Sequence, residues 1–472
     1  MKKKYDVIIV GAGPAGIFTA LELTKLNSDL SILIIDKGRT IEKRICPARK
    51  TNKCAHCKPC GITSGWSGAG AFSDGKLSLG PEVGGRILDY YDKKEAQELI
   101  NYCDSIYLSF GADGKVYGLN NDKIDEIKYE ASKYNIKLIE CPVRHLGTEL
   151  AYDVLKGMYL HLINNTKTEF MELTEAHKIL IKDNKACGVI LSSGGKEYEV
   201  SSNYVVVAPG RCGSAWLLEE ATRIGLKVSN NAVDIGVRVE VPNSVMDHLT
   251  EPLYEAKLVY YSDTFDSMVR TFCMNPGGVV SEEKYDDNEL AVVNGHSYGD
   301  KKLRTDNTNF ALLVSTNFTE PFTEPIKYGK YIATLGNMLT GGGIMVQRLG
   351  DLINGRRTDY SRLNKLTTIP TLKSAVPGDL SFVLPHRHLT SIIEAIKAFD
   401  KIAPGLYNKN TLLYGVEVKF YSAKIETNKY FETVINNLYT IGDGAGITRG
   451  LMQASVNGII VARDITEKKT KK

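Results

Sequence analysis

The stretch Val7-Ile-Ile-Val-Gly11-Ala-Gly13-Pro-Ala-Gly16 begins as an apolar strand and then turns on glycine. Gly11 permits a tight turn, Gly13 lets the backbone approach a pyrophosphate, and Gly16 allows a following helix to pack closely on the strand. A second apolar strand, Ile32-Leu-Ile-Ile, ends at Asp36, about 20 residues further on, where an acidic residue can accept hydrogen bonds from ribose hydroxyls. The pattern therefore predicts a dinucleotide site at a helix N-terminus. Its candidate residues are Gly11, Gly13, Pro14, Ala15, Gly16, Asp36 and Lys37.

A second glycine-rich segment, Thr440-Ile-Gly442-Asp443-Gly444-Ala-Gly446, lies near the C-terminus, before a helix predicted from about Leu451 to Arg463. It resembles the Gly-Asp segment of two-dinucleotide flavoproteins, whose carboxylate binds the ribityl chain of FAD and whose next helix points at the flavin ring. Ala208-Pro-Gly210-Arg211 resembles the middle segment of the same superfamily. The three segments together favour FAD, whereas the N-terminal one alone does not distinguish FAD from NAD. The additional candidate residues are Gly210, Arg211, Gly442, Asp443, Gly444, Gln453 and Ala454.

Small residues dominate the stretch from Ser64 to Lys76. Related flavoenzymes run a Gly/Ser loop beside the pyrophosphate and the flavin ring at this point of the chain. Small side chains are needed there because the backbone must approach the cofactor. The candidate residues of this loop are Ser67, Gly68, Ala69, Gly70, Ala71 and Ser73.

Three further segments extend the likeness over nearly the full chain: Asp234-Ile-Gly-Val-Arg238-Val-Glu240, Pro276-Gly-Gly278 and Gly415-Val-Glu417. With them the chain resembles a family of bacterial and archaeal FAD-dependent dehydrogenases. The resemblance implies an α/β fold in which a discontinuous, Rossmann-like FAD-binding domain of the glutathione-reductase type carries an inserted α+β substrate domain. It implies no particular substrate. The expected limits are 1–80, 136–232 and 405–466 for the FAD domain, 81–135 for a helical insertion and 233–404 for the substrate domain.

Four of the nine cysteines are spaced C-x7-C-x2-C-x2-C. Two successive C-x2-C steps are how a ferredoxin loop binds three corners of a 4Fe–4S cluster, and the first cysteine of the series would supply the fourth. Zinc is an alternative, because His56 lies within the series. A redox dithiol, or no shared role, are the other interpretations. The candidate metal ligands are Cys46, Cys54, Cys57 and Cys60.

The charge balance and hydropathy exclude some partners. The 59 basic and 55 acidic residues leave a net charge of only +4, which gives little support to nucleic-acid or membrane-surface binding. No apolar run reaches the roughly 18 residues of a membrane-spanning helix. A cytoplasmic protein without a membrane span is therefore expected.

These observations predict an FAD-dependent oxidoreductase, a dehydrogenase or reductase, that acts on a small-molecule substrate. Gly341-Gly-Gly343 lacks an acidic residue in register, so a second dinucleotide domain is not predicted. The electron donor is then either NAD(P)H bound transiently or a ferredoxin or another redox protein. The alternative function is an electron-transfer module, with flavin and cluster as a relay to a protein partner. No residue is assigned as the catalytic acid or base.

Two local predictions concern the second half of the chain. A helix is predicted from about Lys327 to Met338, and another from Ser391, where Ser391 and Glu394 have the spacing of a capping box. His386-Arg387-His388 is then expected to be a solvent-exposed loop before that helix. If the segment is instead extended, both imidazoles lie on one face and could line a substrate cavity or donate a proton to product.

Overall fold

The computed structural model describes residues 2–470 except 48–54, 56, 73–74, 286–289, 298–300, 317, 319–320 and 323. The chain divides into two compact units. Unit 1 comprises Met1–Lys115, Arg144–Asn231 and Tyr421–Lys472, and unit 2 comprises Val116–Val143 and Ala232–Phe420. None of the helices in the described ranges is both long enough and apolar enough to cross a membrane.

Helices and strands are numbered along the chain. The helices are α1 Pro14–Leu26, α2 Lys93–Ser109, α3 Asn121–Ser132, α4 Gly147–Asn165, α5 Ser214–Arg223, α6 Asn243–Leu253, α7 Pro325–Thr340, α8 Leu349–Ile353, α9 Tyr360–Leu363, α10 His386–Phe399 and α11 Leu451–Thr470. The strands are β1 Lys4–Val10, β2 Ile32–Ile35, β3 Lys76–Ser78, β4 Lys137–Leu138, β5 Val143–His145, β6 Thr168–Met171, β7 Thr174–Lys182, β8 Lys185–Ser193, β9 Lys196–Val207, β10 Val228–Ser229, β11 Val233–Pro242, β12 Leu258–Tyr261, β13 Met268–Asn275, β14 Val279–Tyr285, β15 Leu290–His296, β16 Asn307–Thr316, β17 Met345–Arg348, β18 Val376–Pro377, β19 Leu412–Lys419, β20 Lys424–Ile425 and β21 Leu438–Thr440.

The main sheet of unit 1 has the order β6-β2-β1-β9-β8-β7, with β21 also beside β9. The pairs around β1 are parallel, and β7, β8 and β9 form an antiparallel meander. Val7 to Val10 and Ile32 to Ile35 are buried throughout, as expected for parallel strands covered on both faces. Helix α1 meets α11 closely: a Cβ on Gly458 would lie 2.4 Å from the Ala15 carbonyl oxygen. The glycine turn is thus held between a buried strand and two tightly packed helices.

The main sheet of unit 2 has the order β18-β17-β19-β11-β16-β13-β12-β4 and is antiparallel except where β17 meets β18. Apolar and charged side chains alternate along its strand β11. On β11 the apolar side chains of Ile235, Val237 and Val239 join a core with residues of α10, whereas Arg238 and Glu240 alternate with them. This unit therefore combines an apolar face with buried charges on the same strand.

The mixed α/β class expected from the sequence is confirmed. The helix predicted from Lys327 to Met338 is α7, and the predicted C-terminal helix is α11, which continues to Thr470. The prediction of a loop over His386-Arg387-His388 is wrong, because α10 begins at His386 directly after Pro385. The capping box predicted at Ser391 is also wrong, since that residue lies inside the same helix.

Candidate functional site

In the glycine turn of unit 1, neighbouring atoms leave no room for a side chain at Gly11 and Gly16, but they leave room at Gly13. A Cβ on Gly11, whose φ is +104°, would lie 2.1 Å from the Ala208 carbonyl oxygen, and one on Gly16 would lie 2.1 Å from the Gly11 carbonyl oxygen. A Cβ on Gly13 would meet no described atom within 4 Å. Gly13 is also the residue that precedes α1, and no side chain caps that helix. The positive end of α1 therefore opens beside Gly13, and such an end favours an anion.

Ser67 lies next to this opening. Its amide donates to the Ala12 carbonyl oxygen at 2.7 Å, and a Cβ on the following Gly68 would lie 3.5 Å from the Cα of Gly13. Ser67 is fully buried with φ at +73°, and its hydroxyl oxygen has no hydrogen-bond partner in the described structure. A buried hydroxyl without a partner is costly unless a ligand supplies one. A ligand bound beside Ser67 would supply such a partner.

The remainder of the Gly/Ser loop is a short 3-10 helix, Gly68–Phe72. Gly70 and Ala71 are buried in it, whereas Ala69 is exposed. A Cβ on Gly70 would lie 2.9 Å from Cδ2 of Leu451, the first residue of α11. The predicted site residue Ser73 lies outside the described residues.

Asp36 connects three backbone segments. Its Oδ2 accepts from the Ala12 amide at 3.0 Å, and its Oδ1 accepts from the amides of Gly38 and Gly65 at 2.8 and 2.7 Å. The carboxylate therefore fixes the glycine turn against the Gly/Ser loop, a role that the sequence did not reveal. Because Oδ2 accepts only one of these bonds, it retains the capacity to accept from a ribose hydroxyl. The neighbouring Lys37 donates to the Cys212 carbonyl oxygen at 3.3 Å.

The C-terminal Gly-Asp segment lies close to the glycine turn. A Cβ on Gly442, whose φ is +79°, would lie 3.4 Å from the Cβ of Ala15, and one on Gly444 would lie 2.5 Å from the Gly210 carbonyl oxygen. The structure thus brings together the three motifs that the sequence separates.

Asp443 within this segment contacts the side chains of Thr448 and Arg211. The Thr448 hydroxyl donates to its Oδ1 at 2.6 Å, and Nε of Arg211 lies 3.7 Å from its Oδ2. The side chain of Asp443 is 24% exposed. The carboxylate is therefore oriented by its neighbours while remaining accessible to a hydroxyl-bearing ligand.

Gln453 has a structural role in the first turn of α11. Its side-chain amide donates to the carbonyl oxygens of Pro81 and Val83, each at 2.9 Å, and its Oε1 accepts from the Ile87 amide at 3.1 Å. All these bonds hold one loop, residues 81–87, against the start of the helix. Gln453 and the next candidate, Ala454, are both buried. The side chain of Gln453 is thus occupied by protein partners.

The cysteine segment is only partly described. Cys54 and His56 lie outside the described residues, whereas Cys46 is half-buried and Cys57 and Cys60 are exposed free thiols. Among the residues that the structure does describe, no three His, Cys, Asp or Glu side chains form a group able to hold a metal ion. The structure therefore lends no support to the predicted iron–sulfur cluster or to zinc.

Arg44 lies just before Cys46, and its side chain binds the backbone just after Cys60, so it holds the two ends of the cysteine segment together. Its Nε and Nη2 donate to the carbonyl oxygens of Gly61 and Ile62 at 3.0 and 2.6 Å, and its Nη1 donates to that of Trp66. The guanidinium lies over the Phe72 ring, 4.8 Å from its centroid. Burial lowers the pKa of Arg44 to about 10. This buried residue links the cysteine segment to the Gly/Ser loop.

Unit 2 contains a buried ion pair that the sequence analysis missed. The guanidinium of Arg238 binds the carboxylate of Glu417 through Nε at 3.0 Å and Nη2 at 3.1 Å, and neither side chain is exposed. Lys419 contacts the same carboxylate at 2.7 Å. Burial alone would raise the pKa of Glu417, but the two cations outweigh it, so that its pKa is lowered. The pairing follows from the register of β11 beside β19, which no local pattern encodes.

One family model matches part of this chain, and one relative matches nearly all of it. Residues 232–420 match the model of a family described as FAD-dependent protein, C-terminal domain-like. An uncharacterised protein of Clostridium beijerinckii is 29% identical over 98% of this chain and 80% of its own length.

Among solved structures, an Aspergillus oryzae formate oxidase has a TM-score of 0.47 at 11% identity, covering 99% of both chains. An E. coli quinol fumarate reductase chain has a TM-score of 0.43 at 13% identity, covering 99% of this chain and 70% of its own.

Proposed function

We propose that this chain is an FAD-dependent oxidoreductase. The observation that carries the proposal is the uncapped helix N-terminus at Gly13, which lies beside Ser67, a residue whose buried hydroxyl has no partner in the described structure. Those two features fit a pyrophosphate. The family match over residues 232–420 supports FAD as the dinucleotide.

The residues that would hold FAD follow from the contacts in unit 1. The amides at Gly13 to Gly16 and the Ser67 hydroxyl would bind the pyrophosphate, Asp36 the ribose, and Asp443 the ribityl chain. Bound FAD would supply hydride or single-electron transfer. The protein's own part is to bind and orient the cofactor through fixed backbone and through carboxylates that already have defined orientations.

The fold proposed for unit 1 is the Rossmann-like, glutathione-reductase type, with residues 233–404 as the inserted substrate domain.

The test of this proposal is Gly13→Ala. The new methyl group would meet no described atom, and φ of −75° at this position suits alanine, so the apoprotein should melt as the wild type does. The methyl group would nevertheless occupy the place where a pyrophosphate approaches, and we expect at least about a tenfold loss of FAD affinity. Flavin content after purification and FAD titration of the apoprotein measure it.

Gly114→Ala is the matched control for this test. A Cβ there also meets no described atom within 4 Å, and the position lies in unit 1 outside the glycine turn. It should leave FAD affinity unchanged. An unchanged FAD affinity in Gly13→Ala would contradict the proposed site, and an absence of flavin from the wild type after reconstitution would contradict the function.

An iron–sulfur cluster at Cys46, Cys54, Cys57 and Cys60 remains a separate proposal that rests on the sequence spacing alone. Iron and acid-labile sulfide measured on anaerobically purified protein test it, with Cys187→Ala as a control at an isolated cysteine. Iron and sulfide that disappear in Cys57→Ala but persist in the control would support it. A wild type that contains flavin but no iron would exclude the cluster. The electron donor, NAD(P)H or a redox protein, is then found by direct reduction assays.

A further inference from the structure

A second charged cluster lies in unit 2, around the carboxylate of Asp351 in α8. Nε of Arg356 and Nη1 of Arg362 each donate to its Oδ1 at 2.8 Å, and Nη1 of Arg348 lies 3.7 Å from its Oδ2. The Thr358 hydroxyl donates to Oδ2 at 2.8 Å. Asp351 itself is fully buried, so three guanidinium groups converge on one concealed negative charge. We call Arg348, Arg356 and Arg362 the arginine cluster.

Positive charge exceeds negative charge throughout this part of the chain. Residues 348–373 contain six basic and two acidic residues, an excess equal to the net charge of +4 of the whole protein. The second acid, Asp359, is exposed and contacts Nε of Arg362 at 3.2 Å. The arginine cluster is therefore not neutralised by its protein partners, and the rest of the chain is balanced.

Several N–H donors of the arginine cluster have no protein acceptor. Within the described structure, neither terminal nitrogen of Arg356 donates to a protein atom, and Nη2 of Arg362 donates to none. Nε of Arg348 is buried and also lacks a partner. The side chains of Arg356 and Arg362 are 52% and 33% exposed, so a ligand can reach them.

The arginine cluster is also preorganised. The amide of Arg356 donates to the Asp351 carbonyl oxygen at 3.0 Å, and its own carbonyl oxygen accepts from the Gln347 side chain at 3.0 Å. One donor of Arg356 is anchored on Asp351, two of Arg362 on Asp351 and Asp359, and Nη2 of Arg348 on Asn410, which holds the three guanidinium groups in defined orientations. Arginine forks held in this way match oxyanions that offer several oxygens.

We propose that the arginine cluster binds a phosphate group of a small molecule. A dianion would offset the excess charge, and its several oxygens would accept from the free donors of the cluster. The site belongs to unit 2 and uses none of the residues assigned to FAD. Its ligand is either inorganic phosphate or a phosphomonoester such as the 2′-phosphate of an adenine nucleotide, since both present the same chemistry.

Calorimetric titration of the full-length holoprotein tests the proposal, with inorganic phosphate and with 2′,5′-ADP as probes. The wild type should bind at least one of them in the millimolar range or more tightly, and Arg356→Gln should weaken that binding about tenfold. Lys365→Gln is the control, because it removes the same charge from an exposed position of the same segment. That control should change affinity by less than about twofold.

The outcomes separate the alternatives. Tighter binding of 2′,5′-ADP than of phosphate would identify a nucleotide as the source, and equal affinities would identify free phosphate; both support the site. If Arg356→Gln and Lys365→Gln weaken binding equally, the anion is attracted only by the general positive charge, and the proposed site is overturned. The site is also overturned if the wild type binds neither probe at about 10 mM, roughly ten times the expected dissociation constant. Arg362→Gln replaces Arg356→Gln if the latter fails to fold. Flavin content should be unchanged in each variant, which keeps this test independent of the FAD proposal.

Discussion

The glycine turn of unit 1 and the buried ion pair of unit 2 represent two opposite ways of building a polar environment. Around Gly13 the polar groups are mostly backbone amides, and the side chains are small or absent. Between β11 and β19, Arg238 and Glu417 supply the charges from fully buried side chains. A backbone-built site depends on the exact residue type at a few consecutive positions. This ion pair depends on the register of β11 beside β19, and its two members lie 179 residues apart in sequence.

The largest effect should follow from adding one methyl group to the glycine turn. Gly11→Ala would place a Cβ 2.1 Å from the Ala208 carbonyl oxygen at a φ of +104°, so both the turn and the adjacent strand must move. We expect a loss of more than about 4 kcal/mol in the free energy of unfolding, or no folded protein. Urea unfolding followed by circular dichroism measures it. With both measured as apoproteins, Gly13→Ala, two residues away, should unfold at the wild-type urea concentration. If the two variants unfold alike, the turn does not have this conformation.

The second-largest loss of stability should come from breaking the buried ion pair of unit 2. Arg238→Met would leave the buried carboxylate of Glu417 with Lys419 as its remaining cationic partner. Breaking a buried pair in this way costs about 3–5 kcal/mol. The control is Lys327→Met, which removes a lysine from an exposed ion pair with Glu324 in the same unit. Exposed pairs contribute about 0–1 kcal/mol. Equal urea midpoints for the two variants would contradict the structural importance of the buried pair.

The same contrast explains what the sequence could and could not predict. The strand, turn and helix at Gly11 to Gly16 were predictable because the residue types at a few consecutive positions determine this backbone conformation. Arg238 and Glu417 are 179 residues apart, and their pairing exists only once β11 aligns with β19. The arginine cluster depends on Asp351, whose burial is a tertiary property.

The wrong prediction of a helix start at Ser391, inside α10, has a physical reason of the same kind. Ser391 and Glu394 have the local spacing of a capping box, but each has a tertiary partner instead. The Ser391 hydroxyl donates to that of Ser262, and Glu394 accepts from the amide of Thr264. The helix begins five residues earlier than predicted, directly after Pro385, which has a φ of −56°. Spacing alone cannot separate a cap from a serine that happens to face a neighbouring strand.

A smaller, pH-dependent effect should come from His388 in α10. The residue is 3% exposed, its Nε2 lies 3.0 Å from the Thr316 hydroxyl oxygen, and burial, with a contribution from Arg387, lowers its pKa to about 4. Between pH 6.5 and 4 the unfolded chain therefore binds a proton that the folded chain does not, and stability falls as the pH falls. The loss should reach at most about 3 kcal/mol near pH 4. A neutral, buried imidazole is also a poor proton donor at neutral pH, which disfavours the catalytic role considered for this histidine.

Urea unfolding at pH 7 and pH 5 measures the effect of His388. In His388→Gln the difference in unfolding free energy between the two pH values should shrink by about 1–2 kcal/mol relative to the wild type. His386→Gln changes an exposed histidine of the same helix and should retain the wild-type difference. If His386→Gln and His388→Gln shrink the difference equally, the buried imidazole is not its source.

The smallest effect concerns a cap that local sequence does encode. Asp92 accepts from the amides of Lys94 and Glu95 at 2.8 and 2.9 Å, and the Glu95 carboxylate accepts from the Asp92 amide, so α2 begins with a complete capping box. Asp92→Ala should cost about 1 kcal/mol and speed hydrogen exchange of the first-turn amides of α2 about fivefold. Ser391→Ala has the same type of sequence pattern without the cap. It should leave exchange at the start of α10 unchanged, because the amides there never bonded to its hydroxyl. Faster exchange in both variants would mean that the local pattern, and not the tertiary partner, decides where α10 begins.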